Sequence, residues 1–244
     1  MEPTHRAAVL GSPIEHSLSP VLHNAGYQAL GLDGWEYTRI LCEADDLPGI
    51  VGEADETFRG FSVTMPCKFA ALDFADEVTE RAQQIGSANT LTRIDGGWRA
   101  DNTDCEGAMV ALLELLGETP AKRAVLVGAG GTARAVMWAL RESGCEQVTV
   151  VNRSDRAAEY VELAQGMDVS FCTFDADLEA VALEADVVAS TVPADALEQH
   201  AKTLGHAPVF DVIYNPWPTS LAVSAASNGY PVVGGLSMLA GQSY

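Results

Sequence analysis

The densest chemical signal in the chain is a glycine cluster, Gly128, Ala129, Gly130, Gly131, Thr132, Ala133 and Arg134, directly after the apolar run Ala124-Val125-Leu126-Val127. Its G-x-G-x-x-A spacing gives each position a mechanical job. Gly128 permits a tight turn, Gly130 lets backbone approach a pyrophosphate, and the small Ala133 lets a helix pack on the strand. First-turn amides and the helix dipole then offer an anion site. At the end of the next expected strand stand Asn152, Arg153 and Ser154, with Arg156 close behind. An acidic residue there would bind a ribose 2′-hydroxyl, whereas arginines beside neutral Asn and Ser favour a 2′-phosphate, hence NADP over NAD. A plain glycine turn and a solvated loop charge are the structural alternatives.

The first half of the chain carries scattered polar candidates. Ser17 and Ser19 lie two apart in a loop ending at Pro20, so in extended backbone their hydroxyls point the same way and can hold a carboxylate. The same spacing also fits Ser19 as a helix cap with Ser17 solvated. His16 and His23 flank the loop without a third ligand at metal spacing, which favours packing or hydrogen-bonding roles and no metal. Lys68 follows Thr64-Met65-Pro66-Cys67 at a helix start, where a cation works against the macrodipole. The chain has only two other lysines, Lys122 and Lys202, although an ordinary surface lysine is the plain alternative. Asp101, Asn102, Thr103 and Asp104 exceed what one helix cap needs, leaving some side chains for a ligand.

Bulk properties narrow the partners. A net charge of −20 repels phosphate backbones and anionic bilayers, so neither nucleic acid nor membrane is expected to bind. Solubility, or a salty cytoplasm, explains the acidity. Five cysteines without C-x-x-C spacing fit a reducing cytoplasm better than a disulfide framework or a zinc site. No signal peptide core and no run near the ~18 apolar residues of a membrane span is present. With 48% hydrophobic residues, 244 residues suit one large or two modest domains.

The elements that must position these residues follow from periodicity and breakers. Strands are predicted over 7–11, 35–41 and 58–63, with helices over 20–30, 45–51 and 68–74. Residues 84–93 turn into a strand, and Gly96-Gly97 makes a hairpin to 98–100, before a helix over 106–116. A linker with Gly117 and Pro120 follows. Beyond it come strand 125–127, helix 132–141, strand 147–151, helix 156–165, strand 168–174, helix 178–182, and strands 186–190 and 209–213. That rhythm predicts an α/β fold with parallel strands, right-handed crossovers and a doubly wound sheet. Tyr214-Asn215-Pro216-Trp217-Pro218-Thr219 forms a rigid loop at a strand end, and Gly234-Gly235 opens a last helix.

Taken in order, the motifs resemble the shikimate dehydrogenase family. The segments carrying the resemblance are Gly11-Ser12-Pro13 with His16-Ser17-Leu18-Ser19-Pro20 and His23-Asn24; Val63-Thr64-Met65-Pro66-Cys67-Lys68; Gly86-Ser87-Ala88-Asn89-Thr90; Asp101-Asn102-Thr103-Asp104; Gly128-Ala129-Gly130-Gly131 with Ala133-Arg134-Ala135; Asn152-Arg153-Ser154; Tyr214-Asn215-Pro216; and Gly234-Gly235-Leu236 with Met238-Leu239 and Gln242. The resemblance implies two domains with a cleft between them: an N-terminal α/β substrate domain (1–105) and a Rossmann NADP-binding domain (106–234). Residues 235–244 would begin a C-terminal helix returning toward the substrate domain. It implies reversible NADPH-dependent reduction of 3-dehydroshikimate to shikimate in aromatic amino-acid biosynthesis, by a cytoplasmic monomer or homodimer.

It also implies roles. Ser17 and Ser19 would hold the substrate carboxylate; Thr64, Asn89, Asp104 and Gln242 the ring hydroxyls; Lys68 and Asp104 would flank the reacting oxygen as catalytic residues. Gly128, Ala129, Gly130, Gly131, Thr132, Ala133 and Arg134 would cradle the pyrophosphate, and Asn152, Arg153, Ser154 and Arg156 the 2′-phosphate side. Thr191, Val192, Tyr214 and Gly235 would complete the cofactor set. Ser62 replaces the family's usual Asn, Ser190-Thr191-Val192-Pro193 replaces a more usual Asn-Ala-Thr segment, and Arg156 comes one residue early. The family continues past Gln242 with a further helix, so stability or activity below that of a full-length relative is expected. A quinate/shikimate or aminoshikimate dehydrogenase, or a catalytically silent NADP-binding protein, is the alternative.

Overall fold

In the computed structural model, which describes residues 3–243, the chain falls into two compact units, Met1–Thr103 and Asp104–Tyr244. Met1, Glu2 and Tyr244, the outer limits of the expected first and last segments, lie outside the described residues.

The first unit runs β1 (His5–Gly11), α1 (Ser19–Ala29), β2 (Trp35–Leu41), α2 (Leu47–Gly52), β3 (Phe58–Val63), α3 (Lys68–Phe74), β4 (Glu77–Val78), α4 (Glu80–Ile85), β5 (Thr90–Ile94) and β6 (Gly97–Asp101). Its sheet has the order β2-β1-β3-β5-β6-β4, parallel from β2 to β3 and antiparallel through β5 and β6. Ala8, Leu10, Phe61 and Leu91 bury one face with Leu47 and Val51 of α2. The sequence reading did not anticipate α4. It is set by local chemistry: the Thr79 hydroxyl accepts from Ala82 N, and Gly86 ends the helix at φ +70°.

Register decides which loops share an edge. Leu10 lies opposite Val63, Ser62 opposite Thr90, and Thr90 opposite Asp101. The chain after β1, after β3, before β5 and after β6 therefore leaves the sheet on the same side. Asp101 anchors this edge, accepting from Thr79 Oγ1 at 2.7 Å and from Arg81 Nη2 at 2.7 Å. Burial alone would push its carboxyl up, but the bonds from Arg81 and Thr79 outweigh that and hold it below the usual carboxylate range.

The second unit runs α5 (Asp104–Leu116), β7 (Arg123–Val127), α6 (Gly131–Glu142), β8 (Gln147–Val151), α7 (Ala157–Tyr160), β9 (Asp168–Cys172), α8 (Leu178–Leu183), β10 (Val187–Ser190), α9 (Ala201–Leu204), β11 (Val209–Asp211), α10 (Ser220–Ser227), β12 (Val232–Val233) and α11 (Gly235–Gly241). All six strands are parallel, in the order β12-β11-β10-β7-β8-β9. Read from β9, that is the 3-2-1-4-5-6 order of a Rossmann domain. Buried Val, Leu and Ala on both faces fit strands covered by helices on each side.

Two expectations are corrected here. The helix predicted over 156–165 is regular only from Ala157 to Tyr160. Beyond it, i→i−3 bonds such as Met167 N to Ala164 O (3.0 Å) tighten the chain toward Gly166, at φ +86°, and the start of β9. The strand predicted to Phe174 stops at Cys172, where Thr173 bonds the Asp175 carboxylate and turns the chain.

Helix α11 packs on α5 at a glycine crossing. A Cβ on Gly241 would lie 3.0 Å from the Gly107 Cα, and one on Gly107 would run into the Met238 carbonyl. Gly107→Ala should therefore destabilise by about 1–3 kcal/mol through overpacking. Gly26→Ala in α1, where an added Cβ meets nothing, should be neutral or stabilising by up to about 1 kcal/mol, and urea unfolding of both variants checks the contrast. Asp101→Asn should destabilise at pH 7. Because the folded carboxyl titrates below the unfolded one, that deficit should shrink as pH falls below about 3.9, which unfolding curves at pH 7 and pH 3 will read.

Candidate active site

In the first unit the polar candidates gather on the shared sheet edge. Ser17 lies in the loop after β1 and Ser19 opens α1; both are buried, with Ser19 N donating to Ser17 Oγ at 3.4 Å. The helix cap is Leu18, with no side-chain bond, so Ser19 does not serve as a capping side chain and Ser17 is not a solvated one. Arg39, on β2, donates through Nε to Ser17 O at 2.9 Å, and through Nη2 as well. No spacing rule pointed to Arg39; it reaches the loop only because β2 pairs with β1 in parallel register.

Thr64 leaves β3, its N–H donating to Leu10 O at 2.8 Å. A side chain at Gly11 would collide with the Thr64 methyl and would lie 2.8 Å from the Met65 carbonyl, so a glycine is what lets the two strand ends converge. Lys68 opens α3 and is only 8% exposed. Its carbonyl accepts from Ala88 N at 2.9 Å, which draws the 86–89 turn alongside. The neighbouring Cys67 thiol donates to Cys42 O at 3.1 Å, and burial pushes it up to about 12, so it remains a thiol at neutral pH.

Asn89 is tied at both ends of its amide: Oδ1 accepts from Thr103 N at 2.9 Å, and Nδ2 donates to Thr103 Oγ1 at 3.1 Å. Asn102 donates to Ser87 O at 2.8 Å. Of the four polar residues 101–104, Asp101 and Asn102 thus serve the fold and Thr103 serves Asn89. His23 stacks on Tyr37 with ring centroids 4.3 Å apart, and burial lowers its pKa, which makes it a neutral packing residue.

In the second unit Asp104 opens α5 and is 3% exposed, while Gln242 follows the last turn of α11. Gly128 turns at φ +104°, and a Cβ there would meet Thr191 Oγ1 at 2.5 Å and Val192 Cγ1 at 2.9 Å. Thr191 is held in place by its own hydroxyl bond to Val127 O, 2.9 Å. Gly130 is the cap residue of α6 and brings no side chain to a helix start whose dipole favours an anion. A cavity of about 720 Å³ opens over these strand ends. Gly128, Ala129, Gly130, Asn152, Arg153, Ser154, Arg156, Thr191 and Val192 line it, together with Phe174, Asp195 and His200, which sequence reasoning had not marked.

Other cofactor candidates sit elsewhere. Ala133 is buried in the helix–sheet core. Arg134 donates to Glu159 O at 2.9 Å and lies over the Tyr160 ring at 5.3 Å. Gly131, Thr132, Tyr214 and Gly235 are also off the cavity wall. Arg156 stands 3.5 Å from Glu159, a weak exposed pair. The glycine cradle, the cap-free helix start and two arginines beside neutral residues fit a dinucleotide with a 2′-phosphate.

Two family models match the chain: the shikimate dehydrogenase substrate binding domain over residues 9–91, and shikimate / quinate 5-dehydrogenase over residues 112–207. A shikimate dehydrogenase (NADP(+)) of Synechocystis sp. is 33% identical over 98% of this chain and 87% of its own length. The crystal structure of Mycobacterium tuberculosis shikimate dehydrogenase shares 48% identity at a TM-score of 0.89, covering 98% of this chain and 90% of that one. That of Thermus thermophilus shikimate 5-dehydrogenase, in complex with NADP(H) and shikimate, shares 34% identity at a TM-score of 0.81, covering 98% and 90%. The chain belongs to the shikimate dehydrogenase family.

Proposed function

We propose that this chain is an NADP-dependent shikimate dehydrogenase, which reversibly reduces 3-dehydroshikimate to shikimate in aromatic amino-acid biosynthesis. The observation that carries the reading is Lys68, a lysine buried at a helix start on the edge that Ser17, Ser19, Thr64 and Asn89 share. An ammonium in such a place is well suited to stabilise charge on a reacting oxygen and to move a proton there. NADPH, when bound, supplies the hydride. Ser17 and Ser19 hold the substrate carboxylate, and Thr64, Asn89, Asp104 and Gln242 its hydroxyls. Lys68 donates the proton to the carbonyl oxygen during reduction and accepts it during oxidation, with Asp104 as its carboxylate partner in catalysis. Gly128, Ala129, Gly130, Gly131, Thr132, Ala133 and Arg134 form the pyrophosphate turn. Asn152, Arg153, Ser154 and Arg156 receive the 2′-phosphate, and Thr191, Val192, Tyr214 and Gly235 complete the cofactor site.

In this reading residues 1–105 serve as substrate domain, 106–234 as NADP domain and 235–244 as a C-terminal helix segment. Five cysteines without C-x-x-C spacing support a cytoplasmic location, and the assembly is a monomer or a homodimer, which sedimentation distinguishes.

Lys68→Met should lower kcat for NADP⁺ reduction by shikimate by about 10²–10⁴-fold with the shikimate KM changed only a few-fold. A wild-type kcat in that variant removes Lys68 from the chemistry. Arg153→Ala should raise the KM for NADP⁺ about tenfold and leave the KM for NAD⁺ within about twofold, as expected when a charge-assisted bond to a phosphate is lost. Equal effects on both cofactors would refute the 2′-phosphate role.

A further inference from the structure

Among the described residues only two acidic side chains are buried, Asp104 and Asp211. Asp211 ends β11, is 1% exposed and pairs with no lysine, arginine or histidine among the described residues. A carboxyl without a cation is unfavourable in such a place unless its oxygens are satisfied. Both are, by the segment that follows: Oδ1 accepts from Ile213 N at 3.1 Å and Oδ2 from Thr219 Oγ1 at 2.7 Å. Thr219 Oγ1 also accepts from Ala222 N at 3.2 Å and so caps α10 by itself. Capping therefore does not explain the carboxyl. What the carboxyl adds is a clamp across the two ends of residues 213–219.

The clamped segment holds Tyr214 and is the seat of the turn before α11. Gly235 N donates to Ile213 O at 3.1 Å. A side chain on Gly234 would meet the Trp217 ring at 2.9 Å, and one on Gly235 would collide with the Val212 carbonyl. Ser190, opposite Asp211 in the β10–β11 register, turns its hydroxyl to the same carboxyl without closing a well-formed hydrogen bond. All of this lies at the carboxyl ends of β10, β11 and β12, the half of a doubly wound sheet that takes the second mononucleotide of a dinucleotide.

We propose that Asp211 is a positioning residue for the reduction: by clamping residues 213–219 it fixes Tyr214 and the Gly234-Gly235 turn for the nicotinamide half of the cofactor. The inference rests on the cofactor roles proposed above for Tyr214 and Gly235.

The test compares Asp211→Asn, Thr219→Val, Thr219→Ser and Tyr214→Ala in the full chain, by kcat per folded enzyme and by NADPH binding. Asp211→Asn and Thr219→Val should lower kcat about 10–100-fold, as a misplaced reacting group does, with the NADPH dissociation constant within about threefold. Thr219→Ser should restore the wild-type rate. If Asp211→Asn does not fold, the Thr219 pair carries the same contrast. Wild-type kcat in the folded Asp211→Asn and Thr219→Val variants, with kcat lowered in Tyr214→Ala, overturns the clamp alone. Wild-type kcat and NADPH binding in Tyr214→Ala instead overturns the cofactor role on which it rests.

Discussion

Close-packed parallel strands leave a polar group only one place to meet a ligand without being buried unpaired, and that place is the edge where the strands end. Both units obey this constraint. In the first, Gly11, Thr64 and Asn89 stand where β1 and β3 end and β5 begins. In the second, Gly128, Asn152 and Thr191 follow β7, β8 and β10. Each edge opens with a glycine that leaves space for the next strand's chain: Gly11 for Thr64 and Met65, Gly128 for Thr191 and Val192. The two glycines do one job for different reasons. Gly128 turns at φ +104°, a conformation that side chains resist, whereas Gly11 is constrained by space alone.

Charge acts locally against the average. A chain of net charge −20 would repel an anionic cofactor at long range, but screening confines that field to about 8–10 Å at ordinary ionic strength. The cavity wall itself presents Arg153 and Arg156 against one lining carboxylate, Asp195, although Glu159 stands 3.5 Å from Arg156. In the first unit Arg39 spends its donors on the Ser17 carbonyl, bringing a cation to the loop that holds Ser17. Three arginines thus stand at the two strand-end edges despite the acidity of the chain as a whole.

The doubly wound half was legible because its signals are local: an apolar run, a glycine turn, an amphipathic stretch, repeated. The shorter elements were not. Helix α10, Ser220–Ser227, is rich in Ala and Ser, so its apolar face is faint; its start is specified by the Thr219 hydroxyl. In the first unit β4 spans only Glu77–Val78, too short for a period, and exists because β6 offers it a partner. The serines show the same limit. Spacing allowed a capping role for Ser19, and what decided against it was burial of the loop with Leu18 in the cap position.

Residue types and their order determined the glycine turn, the arginines after β8 and the rare lysine at the start of α3, because each depends on neighbours within a few positions. Tertiary structure alone decided how the polar residues were divided between holding the fold and facing a ligand. Asp101 and Asn102 were taken up by Arg81, Thr79 and Ser87, and Asp211 by Ile213 and Thr219. A hydrogen bond is satisfied by whichever group the packed sheet brings within about 3 Å, and most of those groups lie too far away in sequence for spacing to reveal them.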